Sequence, residues 1–302
     1  MLGVLCVLAA LREGFEVSAS ALLDPSRRVY LPFLASSALL ALMTLAARGL
    51  GLRRALRATL SPRVWLHPSA RADYRLLAAR ALLRVATVGL RGLSTLAVAA
   101  FVASHLRRDL GVSPVAAPAW LVGALFTVTA FVAEDAARFA LHRVMHRAPW
   151  LWEFHKVHHA AEVLTPLTLY RTHPAEAALH QSALALTVGA VTGAFAAAFG
   201  PELHAWHLLG VDALGALWTL AGANLRHSHV WLSYGPRVER LFLSPAQHQV
   251  HHSVDPRHVD RNFGTALALW DAWCGSLYVT SCLLYTSPSP RDRTRSRMPS
   301  SA

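Results

Sequence analysis

Val29–Ala47 reads VYLPFLASSALLALMTLAA, nineteen residues without a charge. As a helix, that stretch is long enough to cross a bilayer. Further along, Ser182–Phe199 is a second uncharged run, of eighteen residues. Three weaker candidates join them: Val85–Leu106 (interrupted by Arg91), Trp120–Ala133, and Leu203–Ala221, which carries His204, His207 and Asp212. A buried helix of a soluble protein accounts for any one of these, but five in one chain predict membrane insertion. Composition agrees: 54% of the 302 residues are hydrophobic and 15% charged, with mean hydropathy +0.35. A soluble domain carries about a quarter charged residues. Long disorder is excluded, and three cysteines without a CxxC pair give neither a disulfide framework nor a zinc motif.

The net charge of +12 raises nucleic acid as a partner, so its location matters more than its sum. Arg48 to Arg84 contains nine Arg and one Asp, whereas the stretches around Arg107–Ala117 and Gly200–Glu202 carry little net charge. The positive-inside rule makes the Arg-rich loop cytoplasmic. Within it, Leu52, Leu56 and Leu60 alternate with Arg53, Arg54 and Arg57, as in a helix lying on anionic lipid. This accounts for the charge without nucleic acid. Residues 282–302, CLLYTSPSPRDRTRSRMPSSA, read as an in-frame translation of a transposon-type sequencing adapter and are set apart from the fold as non-native. The opening MLGVLCVLAAL is too short to span and lacks a basic n-region, so neither a signal peptide nor a helix is expected there.

Three of the histidine clusters stand out: His142-Arg-Val-Met-His146, His155-Lys-Val-His158-His159 and His248-Gln-Val-His251-His252. On a helix, positions i, i+3 and i+4 share a face, so each box can aim two or three imidazoles at one point. Neutral imidazole suits Fe, Zn, Cu and Ni. Eight imidazoles exceed one ion's coordination shell and point to two metals. Box one follows the third candidate span, box two comes soon after, and a hairpin of 182–199 with 203–221 would return the chain to box three. All three boxes then meet on the face of the Arg-rich loop. The expected fold is therefore all-α: a membrane bundle of about four to five embedded helices under a cytoplasmic histidine-rich metal cap.

His227 and His229 emerge just after that hairpin and are candidate further ligands. His173 is near the boxes but better placed to order the start of the next helix. His180, His204 and His207 lie in apolar segments, where interhelical hydrogen bonds suit them. His67, His105 and His258 read as surface residues. Asp135 shares a helical face with His142 and could fix a ligand's tautomer, or pair with Arg138. Asp260, Asn262 and Asp271 follow the last box and could act similarly.

Across residues 130–278 the sequence resembles the fatty acid hydroxylase/sterol desaturase superfamily of integral-membrane di-iron enzymes, as a bacterial sterol desaturase-like member. The resemblance rests on DAARFALHRVMHRAPWLWEFHKVHH, AEVLTPLTLYRTHP and SPAQHQVHHSVDPRHVDRNFGTALALWD. The last block also resembles alkylglycerol monooxygenases. The resemblance implies metal-ligand roles for His142, His146, His155, His158, His159, His248, His251 and His252, with His227 as a further ligand. His229, His173, Asp135, Asp260 and Asn262 remain candidates for additional or supporting roles. Fatty acid 2-hydroxylases carry another paired box before the last one; here only His227 and His229 stand in that region, with Ser233 where a His could have been. The implied organisation is N-terminal membrane helices with the Arg-rich loop over 1–117 and a catalytic domain over 118–281.

The implied chemistry is O2 activation at two Fe ions, with Zn as an alternative occupant on isolation, followed by hydroxylation or desaturation of an unactivated lipid C–H. Sterol, fatty acyl, carotenoid and ether lipids all fit as substrates entering from the bilayer. No GxGxxG is present, so electrons would come from an external donor of cytochrome b5, ferredoxin or reductase type. A bacterial inner membrane is the implied location. Three competing readings are weaker. A zinc protease would want HExxH, but box one has Arg143 at the Glu position. A non-enzymatic metal-binding or transport protein would place ligands along the membrane interior, where His204, His207 and Asp212 are a thin set. A bis-His haem protein needs single histidines on facing helices.

Overall fold

The computed structural model describes residues 22–86, 93–209 and 211–279, with the backbone alone for 80–86. The opening segment with Cys6, the centre of the Val85–Leu106 candidate with Arg91, and the 282–302 tail lie outside the described residues. The described chain is helical apart from one two-stranded ribbon. Its helices are α1 (Leu31–Ala47), α2 (Leu52–Thr59), α3 (Pro62–Trp65), α4 (Pro68–Ala86), α5 (Thr95–Arg108), α6 (Ala119–Arg147), α7 (Pro149–His159) and α8 (Pro174–Phe199). The ribbon pairs β1 (His207–Leu208) with β2 (Val211–Asp212) and is followed by α9 (Ala213–Leu220), α10 (Pro245–His251) and α11 (Leu269–Trp273).

Two of these, α6 and α8, are long and apolar enough to cross a membrane, and only 22% of each apolar window is buried within the chain. A core helix of a soluble protein would have that surface covered. Helix α1 follows as a shorter apolar helix of 17 residues. The four to five spans expected from the sequence are thus two, plus α1, among the described residues. Helices α5 and α8 pack closely along the small-residue row Ala185, Gly189, Gly193 and Ala197, all buried. A Cβ on Gly193 would sit 2.5 Å from the Ala99 carbonyl, and one on Gly189 2.7 Å from Val98 Cβ, so only glycine permits this approach. Beside α6, Phe126 packs on Phe195 of α8.

Leu203–Ala221 is not the spanning helix expected. Gly200, at φ +100°, ends α8. Asp212 then accepts from the Gly215 amide (2.8 Å) and starts a fresh helix only at Ala213. The return is made in pieces along α6. Trp206 N donates to Thr127 Oγ1 (2.8 Å), and further up α6 Phe131 packs beside the Trp218 cluster. The chain therefore reaches the histidine end of α6 without a second long helix.

At that end, Pro149 turns the chain. The residue before a proline is driven off the α region, and Ala148, with ψ 113°, is the single residue between α6 and α7. That sharp corner folds α7 back so that boxes one and two face each other. The Arg-rich segment forms α2 to α4, with Leu52, Leu56 and Leu60 exposed and Ala55 buried. Its only acidic residue, Asp73, is fully buried. It accepts from Arg171 Nε (2.5 Å) and Thr168 Oγ1 (2.8 Å), tying α4 to the loop after α7.

Candidate metal centre

The boxes divide their imidazoles between two groups. His155 and His159, at i and i+4, join His142, His146 and His251 in one group. His248 and His252, also i and i+4, join His158 and His227 in the other. Each HxxHH box thus gives its i+3 histidine to the opposite group. Within each group the ligand atoms lie within 4.8 Å of one another. The groups touch where His159 stacks on His252, ring centroids 4.5 Å apart. All nine histidines that the resemblance implies as ligands are in these groups.

Five of the nine rings have a partner on their outer side, which turns Nε2 inward. His142 Nδ1 donates to Phe263 O (2.7 Å), His251 Nδ1 to Arg261 O (2.8 Å) and His158 Nδ1 to Arg171 O (3.3 Å). His155 Nδ1 lies 2.9 Å from Glu176 Oε1, and His146 Nδ1 3.5 Å from Asp260 Oδ1. With a proton on Nδ1, each Nε2 presents a lone pair. Those Nε2 atoms crowd together: His159 is 3.1 Å from His146 and 3.2 Å from both His155 and His251. In the second group, His227 is 3.1 Å from His158 and 3.0 Å from His248. Lone pairs meeting at such distances repel unless a cation sits among them. His142 Nε2 is buried without a hydrogen-bond partner, and a metal bond would satisfy it. The donor set fits metal ions.

Burial also keeps the rings neutral, the form that ligates. Desolvation holds His155 and His158 at about 4. Burial first, then repulsion from neighbouring imidazoles or nearby cations, puts His159, His227, His248, His251 and His252 well below the ordinary imidazole range.

The loop after box three supplies three of the outer partners: Asp260, Arg261 O and Phe263 O. Its shape comes from two residues. Asn262, in the left-handed region at φ 57°, accepts from Tyr278 N (2.7 Å) and donates to Gln247 O (3.1 Å). Asp271 accepts from Phe263 N (2.9 Å), Gly264 N (2.7 Å) and Ser276 Oγ (2.6 Å). Asn262 and Asp271 therefore shape the loop and do not face the centre. Gly264 is required there, since a Cβ would lie 2.3 Å from Leu243 Cδ1.

The remaining candidates lie away from the two groups, and several have roles other than those expected. Asp135 neither pairs with Arg138 nor touches a histidine ring; it accepts from Ala266 N (2.8 Å), Leu267 N (2.9 Å) and Trp270 Nε1 (2.9 Å), anchoring the same loop. Arg138 pairs with Glu134 instead. His229 is outside both groups and donates through Nε2 to Ala58 O (2.8 Å). His173 accepts from Ala175 N (3.1 Å) and caps α8, as its position before Pro174 suggests. His258, read as surface, is fully buried, with Nδ1 2.9 Å from Ser253 Oγ. His204 and His207 are exposed on the return segment, outside any apolar helix. Sequence reasoning missed Glu176, although a single acid opening an otherwise uncharged helix was the available signal. Glu176→Gln is expected to keep the fold and weaken metal binding about tenfold, read by chelator competition, because the charged acceptor behind His155 is lost.

A helical protein with long, uncovered apolar helices and two adjoining histidine groups able to hold metal ions is the class defined by fold and site. Residues 127–276 match the family model described as Fatty acid hydroxylase, and the chain belongs to that family. Among its relatives, alkylglycerol monooxygenase of Danio rerio is 27% identical over 150 residues, covering 49% of this chain and 29% of that protein. The Homo sapiens alkylglycerol monooxygenase is 28% identical over 149 residues, with the same coverages of 49% and 29%. Ornithine lipid hydroxylase OlsE of Rhizobium tropici is 27% identical over 155 residues, 50% of this chain and 41% of that protein. The chain spans less than half the length of each of these relatives. No solved structure matches it.

Proposed function

We propose that the protein is a membrane-bound, O2-dependent di-iron oxygenase that hydroxylates or desaturates an unactivated C–H bond of a lipid. The observation that carries this is the reciprocal sharing of boxes two and three between two imidazole groups, which suits a pair of adjacent ions better than one. His142, His146, His155, His159 and His251 would hold one iron, and His158, His227, His248 and His252 the other. Bound there, the irons would supply O2 activation and hydrogen abstraction. The chain's own part is positional. Glu176, Asp260 and the three carbonyls fix the rings, and burial keeps imidazole protons off Nε2 at neutral pH. A groove of about 390 Å3, lined by Phe131, Leu217, Trp218, Tyr234 and Phe242, offers an apolar bed for a hydrocarbon chain. Its Phe131 is on α6, about 16 Å along the helix axis from His142. The lipid enters from the bilayer, electrons come from an external donor of cytochrome b5, ferredoxin or reductase type, and the centre faces the cytoplasm of a bacterial inner membrane. The exposed leucines and arginines of α2 rest on anionic lipid.

The test is metal analysis with product analysis. Purified protein is expected to hold about two Fe per chain, lost in a His155→Ala/His251→Ala variant. Supplied with a reductant and lipid under 18O2, it is expected to release labelled hydroxylated product, or an alkene if it desaturates. Well-folded protein with one metal or none, unchanged in the variant, rejects the reading.

A further inference from the structure

Beside the four-histidine group the protein carries positive charge that its own carboxylates do not balance. Arg226 precedes His227 and is 6% exposed; its Nε donates to Ala223 O (3.1 Å) and its Nη1 to Thr265 O (3.0 Å). Arg28, just before α1, donates through Nη1 to Thr219 Oγ1 (3.1 Å), and its carbonyl accepts from Asn224 Nδ2 (2.9 Å). It is thus tied to the same turn that carries His227. The charge of Arg138 opposes both, while Glu134 favours the charged form of Arg28 and Asp135 that of Arg226. Against these three guanidiniums are two carboxylates, Glu134 paired with Arg138, and Asp135 with its three N–H donors. Among the described residues, Arg28 and Arg226 form no ion pair with a carboxylate; the Arg28 guanidinium hydrogen-bonds to the Thr219 hydroxyl and feels the Tyr170 phenol and the more distant Glu134. Burial, with repulsion from Arg226 and Arg138, pushes the Arg28 guanidinium down to about 9, so it is still charged at neutral pH. Arg28 is half-buried, so its guanidinium stays open to an anion from outside, and an anion bound there would balance the surplus.

Building on the lipid oxygenase reading, we propose that Arg28, backed by Arg226, binds the anionic headgroup of the lipid substrate beside the four-histidine group. A guanidinium offers the planar fork that carboxylate and phosphate oxygens accept from, and the Thr219 hydroxyl fixes its orientation. A neutral glyceride would leave the surplus charge unmatched. The test compares 1-oleoyl-lysophosphatidate with 1-oleoylglycerol, which share one chain, binding to full-length protein in phosphatidylcholine nanodiscs. The acidic probe is expected to bind about tenfold more tightly. That preference should vanish in Arg28→Gln and partly survive in Arg28→Lys, with metal content unchanged in both. Thr219→Val, which keeps the charge but removes its anchor, should reduce the preference and serves if Arg28→Gln does not fold. Equal binding of the two probes, or a preference that survives Arg28→Gln, overturns the proposal. Displacement of the acidic probe by millimolar inorganic phosphate, dependent on Arg28, assigns the site to a free anion and also overturns it. Binding is read without turnover, so an inactive protein that keeps the preference rejects only the oxygenase reading, and an active one without it rejects only this site.

Discussion

Replacing His159 with Ala is expected to strip the metal from the five-histidine group and leave the other loaded, taking bound metal from about two ions per chain to about one. His159 is the hub of its group, with Nε2 near those of His146, His155 and His251. Its neighbour His158 belongs to the other group, facing His227 at 3.1 Å. His158→Ala is therefore the matched control, on the same helix and with similar burial, so the packing lost is comparable in the two variants. It should empty the four-histidine group instead. Each variant should retain one iron with a different spectroscopic signature, and oxygenation should fall to background in both. Mössbauer spectra and metal counts on the two proteins decide the matter. The same metal lost from both, or none lost from either, would show that the boxes do not serve two separate sites.

The boxes were the most legible part of the chain as clusters, but the split between His158 and His159 was not, because the spacing put i, i+3 and i+4 on one face. In both HxxHH boxes the i and i+4 rings stay together and the i+3 ring joins the other group, a choice made by the elements that face the helix. Partnerships made across the fold were less accessible. Glu176 meets His155 only because Pro149 folds α7 back against the start of α8, and nothing in local spacing encodes that meeting. Asp135 lies on the face of α6 that spacing suggested, yet the loop around Ala266 reaches it first and takes both its oxygens. The single Asp among the arginines of 48–84 was visible as an exception. Its role emerges only with Arg171, whose carbonyl holds His158 while its guanidinium holds Asp73.

Hydropathy misled at Leu203–Ala221 for a related reason. Apolar content alone does not distinguish one long helix from a ribbon and a short helix laid along α6. The break is set by Asp212, whose carboxylate caps a new helix, and by the close fit of Gly123 against the His204 carbonyl, 2.6 Å from where a Cβ would be. The chain still returns to the histidine end, so the convergence of the boxes survives although the hairpin expected to produce it does not.

Acidification from pH 7 to about 4.5 is expected to destabilise the protein steeply and to release its metal. Unfolded imidazoles titrate near 6.5, whereas folded His155 and His158 are held at about 4 and His159, His227, His248, His251 and His252 well below the ordinary range. Burial is the leading cause for each. Between those limits the unfolded chain binds more protons than the folded one. Stability is therefore complete above about 6.5 and declines as pH falls through the window towards 4. Several rings share that window, so the midpoint of thermal unfolding should drop with more than one proton taken up per molecule. Metal-stripped protein should show the same direction, because burial acts with or without the ion. Loaded protein should start higher and lose the excess as protons displace metal from Nε2. Differential scanning fluorimetry in detergent, run on both forms across the window, reads both effects. A flat profile from pH 7 to 5 in the stripped protein would mean that the rings are solvated or already protonated, and the neutral, inward-facing centre would have to be abandoned.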